Sequence, residues 1–239
     1  MESFEYRETD LNRKLIDSED GLLPALHLGA STKCGAWDLA ASASQQRAWL
    51  DYDGRTSGGT KLTSRTLENI RELSIQAGRR FLTGGAHSVG VYGGAGYWRW
   101  QRNIAAVGSV SGLDETYRWN YYYLGGNVAL LGNTRHMLMA DLRWQRMARA
   151  KLNVDFRGVF DHADNLELKV KHGWRVAVPW LYSLTRTDSL RVEPYWQGWA
   201  VQRSAAKPLL RNGVVVGEFF EPASDARLYG ISAIWLHAF

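Results

Sequence analysis

The sequence predicts an all-β fold: a closed antiparallel transmembrane β-barrel of ten strands, built as a single domain over residues 1–239. Three observations carry this expectation: alternating apolar and charged residues, an exchange of short and long connections, and an aromatic carboxyl-terminal strand. Successive side chains of a strand point to opposite faces. Over 166–178, Leu166, Leu168, Val170, Trp174, Val176 and Val178 share one parity, and Glu167, Lys169, Lys171 and Arg175 share the other. The same split recurs at 138–152, where Leu138, Ala140, Leu142 and Trp144 oppose Asp141, Arg143 and Gln145. At 190–200, Val192, Pro194 and Trp196 oppose Arg191, Glu193 and Gln197. A barrel sets the apolar parity in lipid and turns the charges into its lumen. A soluble sandwich or a lipocalin-like carrier does the reverse. Mixed signs on the polar parity suit a narrow lumen of paired ions, because an unpaired charge away from water is costly. Arg143, Arg175 and Arg191 are therefore each expected beside an acid such as Asp141, Glu167 or Glu193.

In chain order the strands are expected near 2–8, 22–32, 36–50, 67–81, 87–103, 115–131, 136–153, 164–182, 189–203 and 226–239. Short connections rich in Gly, Asn, Thr and Asp fall at 33–35, 82–86, 132–135 and 183–188, and long ones at 9–21, 51–66, 104–114, 154–163 and 204–225. Short periplasmic turns alternating with long extracellular loops are the pattern of outer-membrane barrels. Residues 67–81 also place Leu67, Ile70, Ala77 and Phe81 near helical spacing behind a Ser64 or Thr66 cap. A helix there would leave an odd number of strands, so strand is the reading, with Leu73, Ile75, Ala77 and Phe81 outward. Asn212-Gly213, between Leu209-Leu210 and Val214-Val215-Val216, predicts a hairpin in the last long loop. The final strand places Tyr229, Ile231, Ala233 and Trp235 on the parity of Phe239. It resembles the terminal signature by which the outer-membrane assembly machinery recognises its clients, with His237 as a departure.

Composition agrees. Aromatic residues make up 12% of the chain, with 11 Trp and 11 Tyr against 5 Pro, and the 24 Gly suit tight wall packing. No apolar run approaches the ~18 residues of a spanning helix. Residues 1–20 are too charged for a signal peptide, so the outer-membrane reading takes an export signal to have been removed. A single cysteine, Cys34, excludes an internal disulfide and reads as a bystander in a turn. His27, His87, His136 and His172 lack metal-ligand spacing, and no metal or cofactor is expected. The Gly90, Gly93, Gly94, Gly96 run lies within strand-like sequence and reads as wall glycine, not a phosphate loop. Trp98, Trp100, Trp119, Trp144, Trp174, Trp180 and Trp196 are assigned to lipid-facing or girdle positions, and nucleic acid is not expected. The +5 charge is assigned to the phosphates of lipopolysaccharide, and the barrel is expected to be a monomer.

The candidate chemistry is Asp51 and Asp53, after Trp49, at the top of the third strand, with Asp161, His162 and Asp164 in the fourth long loop. Paired carboxylates can hold a water, and a His beside a carboxylate can act as general base. These residues resemble the omptins, ten-stranded outer-membrane proteases with an Asp-x-Asp pair in the second loop and an Asp-His couple in the fourth. Residues 117–145 also look like that family's middle strands. The resemblance implies an aspartyl-type endopeptidase with Asp51, Asp53, Asp161 and His162 at its centre. The chain departs where omptins separate the acid and the His by one residue, because Asp161 and His162 are adjacent and alternate faces in a regular strand. The reading adopted is a barrel with a lumen filled by side chains, acting through its extracellular loops as a surface binding or structural protein. The alternatives are omptin-like hydrolysis and a small-solute channel.

Overall fold

The computed structural model describes residues 2–55, 59–82 and 88–238, without the side chains of Leu82, Asp164 and Val170. His87, Phe239 and residues 83–86 of the second short turn lie outside the described residues. Within them all regular structure is strand: β1 (Glu2–Thr9), β2 (Leu15–Leu23), β3 (Ala25–Cys34), β4 (Trp37–Arg55), β5 (Lys61–Leu82), β6 (Ser88–Ile104), β7 (Leu113–Gly132), β8 (His136–Asp155), β9 (Ala163–Glu167), β10 (Lys169–Val170), β11 (His172–Ala177), β12 (Trp180–Ser183), β13 (Asp188–Gln202), β14 (Lys207–Arg211), β15 (Val214–Phe219) and β16 (Ala223–His237). The helical alternative at 67–81 is excluded, since β5 runs through it with Leu73 paired to Ala43 on one side and Tyr97 on the other.

Antiparallel pairings pass from β16 through β1, β2, β4, β5, β6 and β7 to β8. The line β9–β12 lies between β8 and β13, and β13 returns to β16, so the pairings form a ring. β3 continues the line of β2 beyond Pro24 but pairs with β4 alone. The hairpin expected at Asn212-Gly213 is present as β14–β15, with positive φ of 51° and 75° at those two residues. Strands run further into the long connections than the sequence indicates, so that β2 begins at Leu15 and β4 ends at Arg55. Side-chain caps fix the turns: Asp10 accepts from the Asn12 and Lys14 amides, and Asn133 from those of Arg135 and His136, all at 2.8 Å.

Burial divides the wall at mid-height. Toward the short-turn end the outer face is apolar and exposed, with Leu28, Leu73, Ile75, Val91, Leu124, Leu142, Trp174, Val176, Ile231 and Trp235. The inner face there carries Ser74, Asp141, Arg143, Arg175 and Glu193, all partly or fully buried. Toward the long-loop end the arrangement inverts. Inside is an apolar core of Phe4, Tyr6, Ile70, Trp98, Trp100, Tyr117, Trp119, Leu152, Val154, Leu166 and Trp199, while Arg118, Lys151, Glu167 and Lys169 face out. Trp98 stacks on Trp119 at 5.5 Å and meets Trp199 at 5.2 Å, and Trp100 stacks on Tyr117 at 4.8 Å. Such pairs contribute about 0.5–1.5 kcal/mol each beyond their buried area. Gly94 and Gly96 lie under the Tyr123 and Tyr121 rings, where an added Cβ would overlap ring atoms, so these strand glycines serve close packing.

Three expectations are corrected. Trp98, Trp100 and Trp119 are core residues, not lipid-facing ones, whereas Trp174 and Trp180 are exposed outside. Leu166 and Leu168 point inward at 1% and 6% exposure, with Glu167, Lys169 and Lys171 outside. Trp174, Val176 and Val178 point outward as expected, with Arg175 inside. Against β8 the register holds from Leu166 to Ala177. Against β13 the line carries one extra residue between Lys171, whose amide donates to Ala200, and Trp174, which faces Gly198, while β8 bulges against β7 at Arg118/Asn120. An extra residue exchanges the two faces. It lies where the surroundings also invert, so the apolar parity runs unbroken through the sequence. Finally, Arg175 and Arg191 both pair with Glu193, but Arg143 reaches Gln145 and Gln197 at 3.4 Å and lies 5.0 Å from the Tyr123 ring centre. Asp141 instead accepts from Tyr92, and Glu167 is outside.

Leu124→Lys, in the apolar outer band, should lower unfolding free energy in lipid by about 2–4 kcal/mol. Lys151→Leu, on the same wall nearer the loops, should change it by less than about 0.5 kcal/mol. Denaturant titration in liposomes checks both.

Candidate functional site

Alternation along β4 decides where the first two candidates point. Tyr52 and Gly54 are buried inside, so Asp51 and Asp53 stand on the outer face. Asp53 lies 3.0 Å from Lys61 and Asp51 lies 4.0 Å from Arg65. Asp161 plays a different part. Its carboxylate accepts the amides of Asn212 at 3.0 Å and Gly213 at 2.8 Å, and its own amide donates to Leu210. It fastens the β14–β15 hairpin over the rim. His162 is exposed, with Asp155 3.9 Å away. Among the described residues no hydrogen bond or ion pair joins Asp51 or Asp53 to Asp161 or His162.

The groups that do converge are inside, toward the loops. Arg102 is 1% exposed and reaches four carboxylates: Glu115 at 2.8 Å, Glu19 at 2.9 Å, Glu8 at 3.3 Å and Glu68 at 3.5 Å. Its guanidinium lies 4.1 Å from the Tyr6 ring centre. Tyr6 donates to Glu8, Thr66 to Glu19, Trp100 to Glu68 and Tyr117 to Glu221. Asp17 extends the group, with Tyr52 donating to it at 3.5 Å. Carboxylates here outnumber the single guanidinium, and buried like charges cannot all ionise. Glu221, in the connection between β15 and β16, is held well above the ordinary carboxylate range by burial, with Glu8 and Glu115 adding to it. Among the described residues no set of His, Cys, Asp or Glu is arranged to hold a metal ion.

This knot joins β1, β2, β5, β6 and β7 to the β15–β16 connection. The knot was not among the candidates above, although its pattern is present in the sequence. Trp98, Trp100 and Arg102 share one parity, as do Glu115, Tyr117, Trp119, Tyr121 and Tyr123. Large aromatics on one parity against Arg99 and Arg118 on the other mark the aromatic parity as a buried core face.

No protein-family description and no curated protein sequence matches the chain. Among solved structures, the outer membrane protease OmpT from Escherichia coli superposes with a TM-score of 0.65 at 11% identity, covering 99% of this chain and 93% of that one. The β domain of the Bordetella autotransporter BrkA and OmpT of Vibrio cholerae overlay with TM-scores of 0.36 and 0.33 at 10% identity, too low to carry an argument. For BrkA the overlay covers 100% of this chain and 97% of that one, and for the Vibrio protein 91% and 61%.

Arg102→Met, which leaves the carboxylates without their cation, should cost about 3–5 kcal/mol of stability. For Glu221 the sign follows from its raised value in the folded protein. Stability is highest below the unfolded value of about 4.3 and falls as pH rises above it, because folding must then retain a proton. Glu221→Gln lacks this slope, so its thermal midpoint relative to the parent should climb from pH 4 to pH 8. The conclusion these groups support is architectural: the chain has the fold of an outer-membrane β-barrel protein, with a buried charged and aromatic knot inside its long-loop end.

Proposed function

We propose that this chain is a monomeric, integral bacterial outer-membrane protein, a closed ten-stranded barrel whose extracellular end acts as a binding surface. Ten is the count when β2 with β3, and β9 to β12, are each taken as one wall strand and β14–β15 as a rim hairpin. The observation that carries the reading is the inversion of polarity along the wall. An apolar band faces outward where lipid would lie, and an apolar core faces inward where water would lie outside. The fold likeness to an outer-membrane protein supports the same location. The sealed core argues against a solute channel, since Trp100, Arg102, Tyr6 and Tyr117 are each 1% exposed in the lumen. The outward Tyr229, Ile231, Ala233 and Trp235 of β16 suit recognition by the barrel assembly machinery.

Lipopolysaccharide is the proposed lipid partner, and one row of residues supports it. Arg71, Arg99, Arg118 and Lys151 stand opposite one another across β5, β6, β7 and β8, on the outer face at the upper edge of the apolar band. Like charges placed directly opposite destabilise a sheet. Among the described residues none of the four lies within ion-pair distance of a carboxylate, although Glu167 stands opposite Lys151, and the Arg99 Nε is buried without an acceptor. A row of lipid phosphates would supply the missing anions.

Omptin-like hydrolysis is the second reading, favoured by the protease fold alone, with Asp51, Asp53, Asp161 and His162 its nominal residues. The purified protein with lipopolysaccharide should show no steady conductance in planar bilayers and no cleavage of dibasic peptides. Arg99→Glu with Arg118→Glu should remove the lipopolysaccharide-dependent rise in thermal midpoint. Cleavage abolished by Asp53→Ala or His162→Ala would replace the binding reading with the hydrolytic one.

A further inference from the structure

Three segments meet at the long-loop end and enclose a cavity of about 420 Å³. The turn between β1 and β2 supplies Leu11 and is capped by Asp10. The residue just after β13 supplies Arg203, and the connection between β15 and β16 supplies Phe220 and Pro222. Two hydrogen bonds clamp the second segment to the third. The Ser204 amide donates to the Glu221 carbonyl at 3.0 Å, and the Glu221 amide donates to the Ser204 Oγ at 2.9 Å. Thr9 stands opposite Ala223 and its hydroxyl donates to that residue's carbonyl at 3.4 Å, which ties the first segment to the third. The cavity is thus shaped by bonds within the fold, and small-molecule sites are usually preformed and roughly 300–1,000 Å³ in volume.

Leu11, Ile16, Phe220 and Pro222 make its lining mainly apolar, and Arg203 is the single cation among the lining residues. The Arg203 guanidinium lies 3.8 Å from the centre of the Phe220 ring. Its Nε is buried without an acceptor, and among the described residues no carboxylate lies within ion-pair distance of it. The half-buried Arg175 and Arg191, by contrast, share Glu193. The acids beside Arg203 are engaged elsewhere. Asp10 accepts the amides of Asn12 and Lys14, both at 2.8 Å. Glu221 accepts from Tyr117 at 2.8 Å, and burial holds it above the ordinary carboxylate range. Stacking on Phe220 covers one face of the guanidinium and leaves its in-plane Nη donors for a planar oxyanion.

We propose that this cavity binds a small apolar monocarboxylate, its carboxylate paired with Arg203 and its hydrocarbon part packed on Leu11, Ile16 and Phe220. This rests on the reading of the long-loop end as a binding surface and names a ligand class for it. One cation in the lining matches one negative charge, and Asp10 on the same wall opposes a second. Leu11 is 77% exposed, so a ligand that covers it also removes apolar surface from water.

The test titrates the protein in detergent micelles with para-fluorophenylacetate and with the neutral para-fluorophenylacetamide. Fluorine NMR line broadening is read against protein-free micelles. The carboxylate should bind about tenfold or more tightly than the amide, because the charge-assisted pair is lost with the charge. Arg203→Gln should weaken the carboxylate by a similar factor and erase the preference. Leu11→Glu, at an exposed position that leaves the fold intact, should weaken it severalfold and carries the test by itself where Arg203→Gln does not fold. Equal binding of the two probes, carboxylate binding unchanged by either substitution, or no broadening beyond that in empty micelles would overturn the site. A lipopolysaccharide-dependent rise in thermal midpoint that persists alongside such a failure would leave the surface reading standing. Loss of both responses would defeat that reading as well.

Discussion

A peptide group in hydrocarbon has no water to bond, so each backbone donor and acceptor of a membrane wall must find its partner in a neighbouring strand. The long ladders of β4 to β8 meet this demand almost without interruption, over strands of up to 22 residues. Bulges relax the ladder, as at Arg118/Asn120 and Ala129/Leu131, without opening it.

Once the backbone is satisfied within the wall, side chains are free to answer to the medium on each face. Near the short turns the outer face is apolar and the inside carries polar groups, so Arg175 and Arg191 share Glu193. Near the loops the outer face carries Arg118, Lys151 and Glu167, and the inside becomes an ordinary hydrophobic core around Trp98, Trp100 and Trp199. Arg102 is the exception that ties this core together, one guanidinium among several carboxylates. Replacing such a knot by apolar residues is often neutral or stabilising elsewhere, so its presence argues for specificity of assembly across distant strands more than for stability.

Alternation made the fold legible in the sequence, since it survives wherever one face is apolar and the other is not. Leu142, Trp174 and Val176 were readable for that reason, and Asn212-Gly213 because its turn demands positive φ. What stayed hidden was the level at which the medium changes. Leu166 and Leu168 carry the same parity as Trp174 yet face the opposite way, because one extra residue against β13 coincides with the inversion. The candidate site was legible only as composition. Asp51 and Asp53 have the spacing of a carboxylate pair, but spacing does not say which face they occupy, and the intervening Tyr52 takes the inner one. Arg102 was overlooked because Glu68 and Glu115 meet it only once the registers of β5, β6 and β7 are fixed, and Glu8 and Glu19 reach it from across the ring.

The central claim is that the wall exchanges its polar and apolar faces at mid-height. Single cysteines carrying a fluorophore, placed in a Cys34→Ser background at Leu73, Leu124, Leu142, Lys151, Glu167 and Lys169, test it in liposomes. Labels at 73, 124 and 142 should be quenched by brominated acyl chains and shielded from aqueous iodide. Labels at 151, 167 and 169 should behave the opposite way. Uniform quenching by lipid along the whole height, or by iodide along all of it, would contradict the account.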